Sequence, residues 1–187
     1  MKKLFLLPVM MFALVGCNKS AAPAGPVCKL DFSTVTDTTG KAYADAAAAT
    51  TAFATYKVSG EAVTVTEAIN VYEGGGTGGA KENSAGLLKL GKGKGNGVLK
   101  FTVTSDVKKV ILNCHSFYAS SEQYPTNTTN AVKVNGGDAV ALPYNATGDG
   151  ENLEFTITAS KEITIETCHP TDATKFGRAY IYSITLE

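Results

Sequence analysis

Leu99-Lys-Phe-Thr-Val-Thr104 is the stretch of sequence that decides the fold class. Its apolar residues, Leu99, Phe101 and Val103, alternate with polar ones. A period of two places alternate side chains of a β-strand on opposite faces, so that one face meets a core and the other meets water. The same alternation returns in Leu153-Glu-Phe-Thr-Ile-Thr158 and predicts a second half-buried strand.

Short runs of β-branched and aromatic residues recur beyond these two stretches, separated by clusters of Gly, Asn, Asp, Ser and Thr. This pattern is typical of strands joined by turns. Asn135-Gly136 lies between two such runs and predicts a hairpin, because both residue types tolerate a positive φ. Residues 104–106 and 159–161 are predicted as shorter turns, each of which would close a hairpin. The predicted strands cover residues 28–32, 55–59, 62–66, 69–73, 87–90, 97–104, 108–115, 131–134, 139–142, 152–159, 161–168 and 178–186.

Residues 42–54 are the one segment in which a helix competes with this pattern. Alanine favours a helix, but the threonines from Thr50 onward and the missing amphipathic stripe argue against a long one. We expect a short helix or an irregular loop there. Many short strands without long alternating helices predict an all-β fold. The expected architecture is an antiparallel, jelly-roll-like β-sandwich over residues 27–187.

The start of the chain has basic Lys2 and Lys3, an apolar run, and a small residue before Cys17. This is the layout of a secretory signal peptide, and the run is shorter than the roughly 20 residues that span a bilayer. Leu14-Val15-Gly16-Cys17 resembles the lipobox of bacterial lipoproteins. The resemblance implies that residues 1–16 are removed and that Cys17 carries diacylglycerol. The alternative is an ordinary cleaved signal with an incidental cysteine.

Residues 17–26 would then form a lipidated, flexible linker. We expect an exported protein of the cell envelope, anchored to the outer membrane or the cell surface through lipid on Cys17. Asn18 in place of an acidic residue favours the outer membrane in a cell that has two. Lys+Arg and Asp+Glu each number 17, and loss of Lys2 and Lys3 leaves a slightly acidic chain. That balance indicates no nucleic-acid partner.

A second resemblance is carried by residues 87–101, 107–112 and 132–136 and by Gly177-Arg-Ala-Tyr-Ile-Tyr-Ser-Ile-Thr-Leu186. These stretches resemble the β-sandwich modules of bacterial surface proteins and of secreted hydrolases. Similar modules resemble carbohydrate-binding domains of jelly-roll or galactose-binding type. The resemblance covers residues 28–187 and implies the sandwich fold. A fold by itself does not fix a function.

No catalytic motif is present in the sequence. Gly-x-Ser-x-Gly and His-Glu-x-x-His are absent, and the chain has only two histidines. The glycine-rich segments 74–79 and 91–97 lack the helix of a dinucleotide site and the ending of a phosphate loop, so both predict loops. We therefore expect neither an enzyme nor a cofactor. Loop carbonyls and acids of such sandwiches can bind structural calcium, although no loop here has a calcium motif.

The pairs Cys114-His115 and Cys168-His169 leave three interpretations open. Exported proteins meet oxidising surroundings, so the first is a disulfide between Cys114 and Cys168. Strand parity opposes it, because Cys114 shares a face with inward-pointing residues and Cys168 with outward-pointing ones. The second is a zinc site from both pairs, but we expect no metal because neighbouring residues of a strand point apart. The third is a set of buried thiols beside half-exposed histidines.

Aromatic residues in the predicted loops are the best candidates for ligand contact, because sugar rings stack their C–H faces on aromatic rings. The loops of a sandwich gather at its two ends, so these residues are expected to share one rim. The alternative for each aromatic residue is that it caps the core. The candidate ligand-binding residues are Phe117, Tyr118, Tyr124, Tyr144, Asp149, Phe176 and Arg178.

The sequence therefore predicts a surface or envelope lipoprotein with a non-catalytic ligand-binding sandwich, and a glycan is the favoured ligand. The alternative is a structural or adhesive lipoprotein that binds another envelope protein.

Overall fold

The computed structural model describes residues 25–119, 130–144 and 146–187. The predicted signal peptide, the predicted lipid attachment site at Cys17 and the candidate ligand residue Tyr124 lie outside these residues. Within them, no helix has both the length and the apolar character that a membrane crossing requires.

The described residues form eleven β-strands, one α-helix and a short 3-10 helix at Phe32–Thr34. The helix is α1 (Ala46–Tyr56). The strands are β1 (Cys28–Asp31), β2 (Lys41–Ala42), β3 (Lys57–Gly60), β4 (Thr64–Ile69), β5 (Val71–Glu73), β6 (Leu88–Leu90), β7 (Val98–Ser116), β8 (Ala131–Val134), β9 (Val140–Ala141), β10 (Glu151–Cys168) and β11 (Ala179–Leu186).

All strand pairs are antiparallel, and the long strands β7 and β10 pair with each other along most of their length. The first part of β7 and the second part of β10 form one layer with β4, β8 and β9. Their other parts form the second layer with β11, which pairs with β1 and with β6. The predicted all-β fold, an antiparallel sandwich of jelly-roll type, is confirmed.

The two predicted short hairpins are wrong, because β7 and β10 each continue through the predicted turn. Residues 104–106 in β7 and the segment around Ser160 in β10 are corners at which the strand register shifts. Glu61 secures the first corner: its carboxylate accepts hydrogen bonds from the backbone N–H groups of Thr104 (2.7 Å) and Ser105 (3.0 Å). The hydroxyls of Ser105 and Thr104 also donate to it, and these bonds lower the pKa of Glu61 to about 2.

The predicted Asn-Gly hairpin is confirmed between β8 and β9. Asn135 (φ 49°) and Gly136 (φ 70°) both occupy the left-handed region, as a tight turn between right-twisted strands requires. The Asn135 side chain also accepts a hydrogen bond from the Thr164 N–H at 2.7 Å, which ties the turn to β10.

Helix α1 resolves the alternative that the alanine-rich segment left open. It begins where the Asp45 carboxylate accepts a hydrogen bond from the Ala48 N–H at 2.8 Å, an N-cap. Ala49, Phe53 and Tyr56 are its buried residues, and their spacing of four and three places them on one helical face. The Phe32 ring meets that face, with its centroid 5.6 Å from that of Phe53.

Two groups of buried side chains result from this arrangement. The main core contains residues from both layers, such as Phe101 and Ile163 in one and Leu112 and Ile184 in the other. A smaller group lies at one end of the sandwich and is here called the aromatic cluster. The aromatic cluster consists of Leu87, Phe117, Tyr118 and Tyr180.

Candidate functional site

The candidate site lies where the ends of four strands meet. Ser116, the last residue of β7, pairs with Ala179, the first residue of β11. Cys168, the last residue of β10, pairs with Ala131, the first residue of β8. Antiparallel pairing therefore brings the loops that adjoin these four strand ends to one end of the sandwich.

The aromatic cluster is the floor of this region. The Phe117 ring lies 5.3 Å from the Tyr118 ring, centroid to centroid and nearly perpendicular, and 5.3 Å from the Tyr180 ring. Both distances lie in the range in which aromatic rings attract one another. Phe117 is only 2% exposed, so its ring supports the site from below and offers no surface to a ligand.

Arg178 lies on top of this floor. Its guanidinium carbon is 3.9 Å from the Phe117 ring centroid and 5.0 Å from that of Tyr118, which is a cation–π arrangement. The guanidinium also donates a hydrogen bond to the Tyr118 hydroxyl. No carboxylate of the described residues forms an ion pair with Arg178.

Asn130 fixes the backbone around Arg178. Its side-chain oxygen accepts a hydrogen bond from the Arg178 N–H at 2.9 Å, and its amide group donates to the Ser116 hydroxyl at 2.8 Å. The Asn130 N–H donates to the Tyr144 hydroxyl at 3.2 Å. Asn130 thus connects the start of β8 to the end of β7 and the start of β11, and it is almost fully buried.

Gly177 holds the loop between β10 and β11 close to the sheet. Its carbonyl accepts a hydrogen bond from the Thr167 hydroxyl at 2.8 Å, and its N–H donates to the Asn96 side chain at 2.9 Å. A Cβ atom at this position would lie 2.2 Å from the carbonyl oxygen of Cys168, so only glycine fits. Gly177 thereby fixes the backbone between its two neighbours in the chain, Phe176 and Arg178.

His169 is the first residue of the same loop. Its Nδ1 accepts hydrogen bonds from the backbone N–H groups of Asp172 (2.9 Å) and Thr171 (3.3 Å). These two bonds fix the orientation of the ring at the start of the loop.

These residues enclose a cavity of about 300 Å³, here called the Arg178 pocket. That volume is at the small end of the range of about 300–1,000 Å³ for ligand pockets. Phe176 lies at the edge of the Arg178 pocket, and its side chain is 45% exposed. No other aromatic side chain of the described residues is exposed to this degree. The Arg178 pocket is lined by Gly93, Tyr118, Asn130, His169, Thr174, Lys175, Phe176 and Arg178.

The structure brings three of the predicted ligand residues together in this pocket: Tyr118, Phe176 and Arg178. Two others lie outside its lining. The Tyr144 hydroxyl accepts a hydrogen bond from the Asn130 N–H at 3.2 Å. The Asp149 carboxylate pairs with Lys81 at 3.3 Å and accepts a hydrogen bond from Thr147 at 2.6 Å.

Sequence reasoning missed four lining residues that carry polar side chains. Asn130 and His169 each lie next to a strand end, directly before β8 and directly after β10. Thr174 and Lys175 lie in the loop that ends in Phe176. The one available signal was position, since polar residues beside strand ends lie at the rim of a sandwich.

The predicted Cys114–Cys168 disulfide is wrong in this structure, where Cys28, Cys114 and Cys168 are free thiols. Cys114 lies in the main core, whereas Cys168 is half-buried on the opposite face from Thr167. The side chains do not converge as a disulfide requires. Burial raises the pKa of the Cys114 thiol to about 12, so it is unreactive. The described residues contain no group of three His, Cys, Asp or Glu side chains that could hold a metal ion.

A second cavity of about 540 Å³ adjoins the Arg178 pocket and shares His169 and Lys175 with it. It is here called the Cys168 groove. In this groove Lys133 pairs with Glu166 at 3.1 Å, and Lys175 lies 3.7 Å from Asp172. Cations and carboxylates therefore compensate one another in the Cys168 groove.

No protein-family model matches this chain, and no curated protein matches it. Among solved structures, the chain is similar to a low affinity xylan binding module, CBM86, from Roseburia intestinalis. The TM-score is 0.30 at 19% identity, over 56% of this chain and 79% of the module. A CBM36 domain of a multidomain xylanase from the hindgut metagenome of Trinervitermes trinervoides gives a TM-score of 0.28 at 18% identity, over 54% and 76%.

The chain is also similar to part of an exo-beta-1,3-galactanase from Phanerochaete chrysosporium, with a TM-score of 0.35 and 16% identity over 68% of this chain. It spans about a quarter of that structure and of a family two carbohydrate esterase from Cellvibrio japonicus, 26% in each case. These likenesses are too weak to indicate a function, which is therefore inferred from the pocket itself.

Proposed function

We propose that the domain is a non-catalytic glycan-binding module and that the Arg178 pocket is its binding site. The observation that carries this proposal is the exposed Phe176 ring at the edge of a pocket with polar walls. A sugar ring has an apolar C–H face and a rim of hydroxyls. Phe176 would stack on the face, while Arg178, Lys175 and Thr174 offer polar groups to the hydroxyls.

The described lining of the Arg178 pocket supports a role without catalysis. Glycoside hydrolysis commonly uses two carboxyl groups about 5–10 Å apart on either side of the bond that breaks. None of the described residues that line the Arg178 pocket is Asp or Glu. In this proposal the module holds its glycan unchanged.

Its location at a membrane is part of the same proposal and rests on the sequence. The Leu14-Val15-Gly16-Cys17 motif would place lipid on Cys17, and several acyl chains on one residue anchor a protein durably. Residues 17–26 would hold the module away from the membrane surface at the outer membrane or the cell surface. Mass spectrometry of the N-terminal peptide would test the lipid, and a Cys17→Ser variant should leave the membrane fraction.

The test of glycan binding is a panel of plant, host and bacterial polysaccharides, offered to the full chain purified in detergent. We expect saturable binding to at least one glycan, and Phe176→Ala should weaken it about ten-fold, equivalent to about 1.4 kcal/mol. Val58→Ala is the matched control, since Val58 is an exposed apolar residue on β3 outside the pocket. Absence of binding across the panel would overturn the proposal and favour the alternative, an envelope-protein partner.

A further inference from the structure

The described residues that line the Arg178 pocket carry an excess of positive charge. Arg178 and Lys175 line it, and no acidic residue of the described chain does. The carboxylate nearest to Lys175 belongs to Asp172, at 3.7 Å. The Thr174 hydroxyl and N–H donate to Oδ1 of that carboxylate at 2.6 and 2.9 Å, and Lys175 lies against its other oxygen, Oδ2. Lys175 thus has a partner in Asp172, and among the described residues Arg178 is the lining cation without an ion pair.

Most of the N–H donors of the Arg178 guanidinium donate to no acceptor among the described residues. A guanidinium has five N–H donors in a planar fork, and the described residues accept only one bond from it, at the Tyr118 hydroxyl. The Phe117 ring covers one face of the guanidinium, and this contact restricts the orientation of the guanidinium group. An arginine held in this way is pre-organised for a planar, two-oxygen acceptor.

The charge of Arg178 also affects the pKa of a neighbouring lysine. Lys89 pairs in register with Tyr180 beside the aromatic cluster, and its pKa is lowered by burial and by repulsion from Arg178. The Cys168 groove differs, because its Lys133 has a partner in Glu166. Among the described residues that line the two cavities, Arg178 is therefore the basic side chain without an ion pair.

We infer that the glycan recognised by this pocket is acidic, with the carboxylate of a uronic-acid sugar bound by the guanidinium of Arg178. This inference rests on the proposed glycan-binding function and adds its ligand class. Phe176 would stack on the ring while the carboxylate, in the plane of the guanidinium fork, accepts two N–H bonds. A neutral glycan would leave the Arg178 charge uncompensated, and a charged group partly removed from water without a partner is unfavourable.

The test uses pairs of probes in which a carboxylate is compared with its neutral methyl ester. Oligomers of galacturonic acid, oligomers of mannuronic acid and a glucuronic-acid-substituted xylan are each compared with their methyl-esterified form by titration calorimetry, with the full chain in detergent. We expect at least one acid form to bind ten-fold or more tightly than its ester. Raising the salt concentration should weaken that binding, because mobile ions screen exposed charges.

Three variants locate the effect. Arg178→Gln should remove the preference for the acid form, and Arg178→Lys should restore it in part, because it returns the charge without the planar fork. Lys161→Gln removes an equal charge from an exposed position of β10 outside the pocket and should change nothing. Thermal unfolding of each variant shows whether the fold is retained.

The outcomes separate the inference from the function on which it rests. Equal binding of acid and ester forms, or binding of neutral glycans alone, with loss in Phe176→Ala, would overturn the acidic ligand and retain the glycan module. Retention of the acid preference in a folded Arg178→Gln protein would also overturn it. Absence of binding to every acidic and neutral glycan would overturn both.

Discussion

The main core and the aromatic cluster differ in composition and in what covers them. The main core is mostly aliphatic and is enclosed between two layers of sheet. The aromatic cluster is small, has three rings among its four residues and is covered by the cation of Arg178. The first holds the fold together, and the second supports the walls of a pocket.

The difference lies in how each group is specified. Residues of the main core can be predicted from the alternation of apolar and polar residues along each strand. Any apolar side chain of similar volume would fulfil much of their role. In the aromatic cluster, Phe117 and Tyr118 follow the end of β7, and their role depends on the ring faces that they present to Arg178. We therefore expect substitutions in the two groups to separate stability from binding.

The largest expected effect is the loss of a ring from the main core. Phe101 is fully buried in β7, and Phe101→Ala should lower the free energy of unfolding by about 3–5 kcal/mol through lost burial and the cavity left behind. Chemical denaturation followed by circular dichroism measures the change. The protein that remains folded should bind its glycan with unchanged affinity. A large loss of affinity would mean that the two groups are not independent.

A smaller effect on stability is expected at Gly177, where the fold and the pocket meet. Gly177→Ala forces a Cβ atom toward the Cys168 backbone, and strain of this kind typically costs about 1–3 kcal/mol. Binding should fall as well, because Phe176 and Arg178 move with the displaced backbone. Gly93→Ala is the stability control, since a Cβ there has no neighbour within 4 Å. Unchanged stability and affinity in Gly177→Ala would contradict the tight packing of this loop.

The same division appears in what the sequence could predict. The alternation around Phe101 predicted its strand and its burial, and Asn135-Gly136 predicted its turn. The sequence of residues 104–106 predicts a hairpin turn where the structure has a corner, because short polar residues suit both a turn and a bent strand. Only pairing with distant β10 and the Glu61 carboxylate distinguish the two, and neither is visible in local sequence.

The candidate site was predictable in part for the same reason. Phe176 and Arg178 are loop residues beside a strand, and that position was enough to select them. Phe117 has the same kind of position, yet its ring turns inward beneath Arg178. His169 and Asn130 reach the pocket only because β10 pairs with β8 and β7 with β11. The local sequence pattern predicts which residues lie at the rim of the sandwich. The long-range pairing of strands determines which of these residues face one another.

A matched pair of substitutions compares the two groups directly. Phe117→Leu and Phe101→Leu make the same chemical change at two fully or almost fully buried rings. Each should cost about 1–1.5 kcal/mol of stability, as near-isosteric changes in a core do. Phe117→Leu also removes the cation–π contact to Arg178, of about 0.5–2 kcal/mol. Affinity for the glycan should fall several-fold in Phe117→Leu and stay constant in Phe101→Leu. Equal affinities would show that the Phe117 ring does not position Arg178.

The smallest expected effect concerns the β7 corner, which does not line the Arg178 pocket. The hydrogen bonds of Ser105 and Thr104 lower the pKa of Glu61 to about 2, whereas an unperturbed glutamate has a pKa of about 4.3. A carboxyl group with a lowered pKa in the folded state stabilises that state above its unfolded pKa and loses the effect as pH falls through the folded value. Stability measured at pH 7 and at decreasing pH should therefore show Glu61→Gln below the wild type, with the gap closing between about pH 4.3 and pH 2.

Glu67→Gln is the control for this measurement, since Glu67 is a neighbouring carboxylate on β4 that forms none of these hydrogen bonds. Its pH profile should follow that of the wild type. Glycan affinity at neutral pH should be equal in both variants, because neither residue lines the Arg178 pocket. A Glu61→Gln protein with wild-type stability at every pH would mean that β7 bends without the carboxylate, and the corner would then be set by the register shift with β10 alone.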